Sequence, residues 1–160
     1  MKSAAVITLT RVAAILGLDL SLKLYPVSDP IRDAGHVKLL ERLKGAVPGT
    51  LRWRYEVPVT NRPGELRAWD AEIRCLDGPV EVEAETRLRD IQALDRRVAL
   101  KAEDGATERV ILLVADTRTN RDAIRAAKLH LGARFPLGQA EILAALREGR
   151  RPAGSGIVMI

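Results

Sequence analysis

From Val80 to Glu85 apolar and acidic residues alternate without a break, with Val80, Val82 and Ala84 on one parity and Glu81, Glu83 and Glu85 on the other. Strand side chains point to opposite faces in turn, so residues 80–86 predict a strand with three carboxylates on one face. The run over residues 66–76 includes Ala68-Trp69-Asp70-Ala71-Glu72-Ile73, and Asp77-Gly78-Pro79 joins it to the next run as a hairpin. Asp70 from one strand and the glutamates from its neighbour then converge on one point.

The rest of the chain follows the same kind of reading. Residues 8–16 predict a short helix stopped by Gly17, and residues 18–25 a half-buried strand ended by Pro26. Asp29 and Pro30 open a helix to about Lys44, with Ile31, Ala34, Val37, Leu40 and Leu43 near helical spacing and Gly45 and Pro48 as its stop. Residues 51–59 predict a strand with Trp53, Tyr55, Val57 and Val59 facing one way, followed by a turn at 61–64. A helix over 91–101 opens at Asp90, and the unbroken apolar run 110–115 reads as a strand covered on both faces. Asn120 caps a helix to Leu131, a last helix spans 139–148, 150–156 is a basic loop, and 157–160 can add an edge strand. The order from Pro30 to Leu131 is helix, three strands, helix, strand, helix. It predicts an α/β chain (an α+β mixed sheet) with helices on both faces. No repeat or boundary divides residues 1–160, which read as a single domain.

Composition narrows the setting. Hydrophobic residues make up 47% of the chain, ordinary for a globular protein, and no apolar run reaches the ~20 residues that span a bilayer. Cys75 is the single cysteine, which excludes an internal disulfide and suits a cytoplasmic location. The net charge of +5 and a pI near 9.8 allow contact with a polyanion. Much of that balance is arginine in an Ala/Arg-rich chain, which base composition alone produces. Arg96, Arg97, Arg150 and Arg151 are the candidate phosphate contacts.

Clustered carboxylates repel unless one holds a proton or a cation sits among them. Mg²⁺ or Mn²⁺ suits hard oxygen ligands, so Asp70, Glu83 and Glu85 are the candidate metal ligands. On that reading a divalent ion stabilises the fold, and Glu83→Gln leaves the metal-free protein no less stable. His36, His130 and Cys75 have no metal-ligand spacing and read as structural. No Ser-His-Asp order, phosphate loop or dinucleotide fingerprint is present.

The helix, three strands, helix, strand order with Asp70 and the glutamate-rich third strand resembles the PD-(D/E)XK nuclease-like superfamily, whose fold is the restriction-endonuclease-like core. The resemblance implies an Asp on the second core strand, matched by Asp70, and an acid-x-Lys on the third, matched in its acidic part by Glu81-Val82-Glu83 or Glu83-Ala84-Glu85. It implies Mg²⁺-dependent phosphodiester cleavage, with Glu41 and Gln92 at auxiliary positions. The lysine is missing: two residues beyond each acid stand Glu83, Glu85 and Arg87, and arginine is a poor base. Lys101 on the next helix is the candidate to replace it.

A second resemblance spans more of the chain. Leu18-Asp19-Leu20-Ser21, Tyr25-Pro26, Ile31-Arg32-Asp33-Ala34-Gly35, Leu51-Arg52-Trp53-Arg54, Glu83-Ala84-Glu85-Thr86-Arg87 and Val114-Ala115-Asp116-Thr117-Arg118 are similar to the C-terminal region of actinobacterial Xre-like helix-turn-helix regulators. It implies that residues 1–17 are a remnant of, or linker to, a DNA-binding module. Together the two resemblances imply a degenerate nuclease-like domain that regulates or binds a partner in DNA transactions. DNA, a protein or a second copy of the chain is the expected partner, and a membrane is not. The alternative is an active Mg²⁺-dependent nuclease using Asp70, Glu83, Glu85 and Lys101.

Overall fold

The computed structural model describes residue 8, residues 11–17 and residues 30–160. The strand expected over 18–25 lies outside the described residues. Residues 11–15 are helical, and the Leu16 and Gly17 N–H groups close the last turn on the Val12, Ala13 and Ala14 carbonyls. Gly17 has φ +66°, the left-handed stop anticipated for it.

Five strands form one mixed sheet in the order β1 (Arg52–Pro58), β2 (Ala68–Cys75), β3 (Gly78–Glu85), β4 (Val110–Val114), β5 (Gly156–Met159). Strand β2 runs antiparallel to both β1 and β3, and β3, β4 and β5 are parallel. Helix α1 (Pro30–Ala46) precedes the sheet and α2 (Ile91–Asp104) crosses from β3 to β4. Then α3 (Arg118–Ala126), α4 (Lys128–Arg134) and α5 (Gln139–Arg147) lead into β5. Leu39, Leu40 and Leu43 of α1 and Ile142, Leu143 and Leu146 of α5 pack with Ile73, Val82, Ile111 and Leu113 on one face. Leu94 and Val98 of α2 and Leu131 and Phe135 pack with Leu112 and Val114 on the other. The expected mixed sheet with helices on both faces is therefore present, and β4 is buried along its whole length. Truncating one of these leucines to alanine costs about 2–5 kcal/mol through lost contacts and the cavity left behind.

Several details differ from the sequence reading. The buried stripe of α1 is Leu39, Leu40, Leu43 and then Val47, while Val37 is 56% exposed. The three- and four-residue steps of the leucines fit one helical face, and Val37 falls off it. In β1, Trp53 packs with the α1 side, whereas Val57 and Val59 join the α2 side. Glu56 between them has φ +49°, which breaks the strict alternation of faces. Strand β2 switches at the matching register: Trp69, opposite Val57, joins the α2 side, and Ala71, opposite Tyr55, joins the α1 side. The hairpin turns one residue early, at Leu76-Asp77, because Cys75 already pairs with Gly78, whose φ of +130° favours glycine.

The helix expected from Asn120 to Leu131 is two helices, and its cap is Thr117, whose side chain accepts the Asn120 N–H at 3.2 Å. Asn120 is fully buried instead. Its amide donates to the Thr86 carbonyl at 3.0 Å and the Ala115 carbonyl at 2.8 Å, and its side-chain oxygen accepts the Leu88 N–H at 2.9 Å. One side chain thus fastens the loop after β3 to the loop after β4. Parallel pairing places both loops at the same end of the sheet.

Candidate functional site

The carboxylates gather at that end of the sheet. Asp70 stands where the β2–β3 ladder gives out beyond Ala71–Val82, and its Oδ2 accepts the Ala84 N–H at 2.7 Å. The side chain thus takes a place that a strand carbonyl fills elsewhere. Glu83 and Glu85 project from the last turns of the β3 pleat toward α2, where Arg97 and Lys101 are one helical turn apart.

Lys101 of α2 reaches Glu83. Its Nζ donates to Glu83 Oε2 at 2.7 Å, to Glu83 Oε1 at 3.0 Å and to the Ala68 carbonyl at 2.8 Å, which accounts for all three ammonium protons. The ammonium also lies 5.2 Å from the centre of the Trp69 ring, within cation–π range. Arg97 donates through Nε to Glu83 Oε1 at 3.2 Å and through a second nitrogen to Glu85. Burial raises the Glu83 carboxyl above its ordinary value; the Lys101 ammonium opposes this and the Asp70 charge adds to it.

Helix α1 closes the other side. The His36 Nδ1 is 3.8 Å from Asp70 Oδ1. Asp70 raises the imidazole pKa, burial opposes it, and Glu85 and Glu83 add to the rise. The sequence reading placed His36 in a structural role; the local signal was its neighbour Gly35. A Cβ at Gly35 would sit 2.7 Å from the Thr86 Cγ2, so only glycine lets α1 come this near the end of β3.

The other predicted residues are more scattered. Glu41 is on α1 and accepts from the Tyr55 hydroxyl at 3.5 Å. Glu81 lies directly opposite Glu72 in the β2–β3 register. Burial, with the Glu72 charge behind it, pushes the Glu81 carboxyl up to about 7. Glu72 was missed by the sequence reading; it is buried and accepts from Arg54 at 3.4 Å and Arg74 at 2.9 Å. Gln92, Arg87 and Arg96 are exposed. Of the four arginines expected to meet phosphate, three have acidic partners: Arg97 as above, Arg150 with Glu148, and Arg151 with Glu108 at 3.4 Å.

The donor set bears on a metal. Both oxygens of Glu83 face Lys101, one of them Arg97 as well, Glu85 faces Arg97, and one oxygen of Asp70 is held by a backbone N–H. Among the described residues no group of three or more His, Cys, Asp or Glu side chains is placed to hold a metal ion. As arranged, these residues do not fit Mg²⁺. The chain's own cations take up the charge that a divalent ion was expected to balance. Among the described residues no helix is long and apolar enough to cross a membrane. Comparison with protein-family models, curated proteins and solved structures finds no match to this chain.

Proposed function

We propose that the chain is a nuclease-like domain that does not cleave, and that it works as a regulatory or partner-binding module in DNA transactions. One observation carries this reading: two of the three carboxylates that would hold a metal, Glu83 and Glu85, are paired with Lys101 and Arg97 from α2. A buried carboxylate with an ammonium 2.7 Å away gains little from exchanging it for a hydrated divalent ion. The association with DNA is supported by the charge of +5, by exposed Arg87 and Arg89 on the loop after β3, and by exposed Arg118 at the start of α3, close to the end of the sheet that Asn120 ties together.

Binding of duplex and single-stranded oligonucleotides, measured across a salt series, tests the nucleic-acid part. Phosphate contacts predict affinity that falls steeply between low and physiological salt and falls further in Arg87→Ala/Arg118→Ala. Salt-independent binding, or none, refutes it.

A second reading, Mg²⁺-dependent cleavage, is favoured by one observation: Lys101 reaches Glu83 and so occupies the neighbourhood of the absent motif lysine. Metal-dependent cutting that Asp70→Ala abolishes would establish it in place of the first.

A further inference from the structure

The loop after β3 is pinned at its middle. Leu88 packs into the α2 side of the core, and its N–H is held by the Asn120 side-chain oxygen at 2.9 Å. Arg87 and Arg89 are exposed on either side of it. Asn120 also lies two residues beyond Arg118, the exposed first residue of α3. One buried amide therefore fixes the backbone that carries three arginines at one end of the sheet.

The acids at this end are already engaged. Glu85 pairs with Arg97, Asp116 pairs with Arg121, and Asp90 caps α2 by accepting the Ala93 N–H at 2.8 Å. Among the described residues Arg87, Arg89 and Arg118 have no carboxylate partner. Cations on a fixed backbone, with no internal counter-charge, fit an anion whose own charges are fixed, because neither side loses much freedom on binding. The guanidinium forks onto phosphate oxygens, which makes a phosphate backbone the matching anion.

Aromatic rings separate the kinds of nucleic acid. Single strands are held in large part by bases stacking on aromatic side chains. Trp69 and Phe135 are buried, and Trp53 and Tyr55 of β1 are level, across β2, with Val80 and Val82 of β3. Val82 is five residues short of Arg87, ~16 Å along an extended chain. Among the described residues this end of the sheet presents arginines and no exposed ring.

We propose that Arg87, Arg89 and Arg118 together grip the phosphate backbone of a DNA duplex without reading its sequence, and that Asn120 is the positioning residue that holds them. The inference rests on the DNA reading above and narrows it to double-stranded DNA bound through phosphates, contacts that carry no sequence information.

The test is fluorescence anisotropy of the full chain with a mixed-sequence DNA duplex, with either strand alone and with inorganic polyphosphate, across a salt series. The expected result is at least about ten-fold tighter binding of the duplex than of either strand, unchanged when the duplex sequence is scrambled. Each of Arg87→Gln, Arg89→Gln and Arg118→Gln should flatten the slope of log affinity on log salt by about 0.9. Arg147→Gln removes the same charge at the opposite end of the sheet, beside the Gly149 carbonyl that accepts the Leu76 N–H, and should leave the slope unchanged. Asn120→Ala, assayed at a temperature where it is folded, should weaken duplex binding in the wild-type background and add little in the triple arginine variant. A purely structural asparagine would act equally in both backgrounds, and that result would overturn its positioning role. A strand or polyphosphate that binds as tightly as the duplex would overturn the proposal while leaving salt-dependent DNA binding, and so the broader reading, in place. Slopes that Arg147→Gln flattens as much as the three arginine variants would do the same. No salt-dependent binding of any nucleic acid would overturn both.

Discussion

The Lys101 ammonium and the Glu83 carboxylate meet at 2.7 Å with both side chains almost wholly buried, 9% and 5% exposed. Neither element explains this alone: β3 sends Glu83 to the face that α2 covers, and α2 turns Lys101 back toward the start of β2. A buried charge that loses its partner is far more costly than the pair is stabilising. Lys101→Met or Glu83→Gln alone should lower stability by about 3–5 kcal/mol in urea unfolding. The double variant Glu83→Leu/Lys101→Met should recover most of that loss. Single variants that unfold like wild type would show that water, and not the partner, solvates these groups. The expectation that Glu83→Gln would be harmless rested on repulsion among the acids, and the paired lysine reverses its sign.

Glu81 and Glu72 lie opposite each other across β2 and β3. The Glu81 carboxyl is raised to about 7 by burial and by Glu72. Below the ordinary carboxyl range both folded and unfolded chains hold the proton. Between that range and about 7 only the folded chain holds it, so stability falls as pH rises and levels off above about 7. Glu81→Gln should therefore stabilise the protein at pH 8 and do little at pH 5. Like charges directly opposite cost ~0.2–1 kcal/mol, so the melting temperature should rise by up to about 4 °C at the higher pH. Equal effects at both pH values would place the Glu81 titration outside this window.

His36 titrates above its ordinary value because of Asp70 beside it. Its contribution is full below the unfolded value and is lost as pH rises through the folded one. An NMR titration should find the His36 pKa above ~6.5 and falling toward it in Asp70→Asn. No change in the variant would mean that α1 does not hold His36 against Asp70 in solution.

Much of this arrangement was legible along the chain. The alternation of Val80, Val82 and Ala84 with the glutamates placed β3 and its acidic face, because that pattern has period two and nothing else does. The four-residue spacing of Arg97 and Lys101 put both on one helical face, although the partner of that face lay beyond any local pattern. The change of faces in β1 and β2 was not legible. It turns on the positive φ of Glu56, and Tyr55 and Val57 keep the same parity whether or not it occurs. Asn120 looked like a cap because asparagine suits caps; Thr117, three residues earlier, takes that role and leaves Asn120 free to bridge two loops.

Asn120→Ala should expose how much that bridge matters. It leaves the Leu88 N–H and the Thr86 carbonyl without their partner, at ~1–3 kcal/mol for each of the two that water does not reach, while the Ala115 carbonyl still accepts the Thr117 N–H. Hydrogen exchange should quicken first at Leu88 and along the loops after β3 and β4. Exchange unchanged in both loops would contradict the tie.

Gly35→Ala is the corresponding test for α1. A methyl 2.7 Å from the Thr86 Cγ2 forces the helix away from the end of β3, so the variant should lose ~1–3 kcal/mol and the raised pKa of His36 together. Gly35→Ala/Thr86→Ser, which removes the opposing methyl, should restore both.

Incubation of the full chain with supercoiled plasmid and single-stranded DNA in Mg²⁺ or Mn²⁺ tests the central claim most directly. With Glu83 and Glu85 already paired to Lys101 and Arg97, the expected result is DNA left intact at every metal concentration and no metal-induced rise in melting temperature. Cutting that depends on the metal and disappears in Asp70→Ala would contradict it.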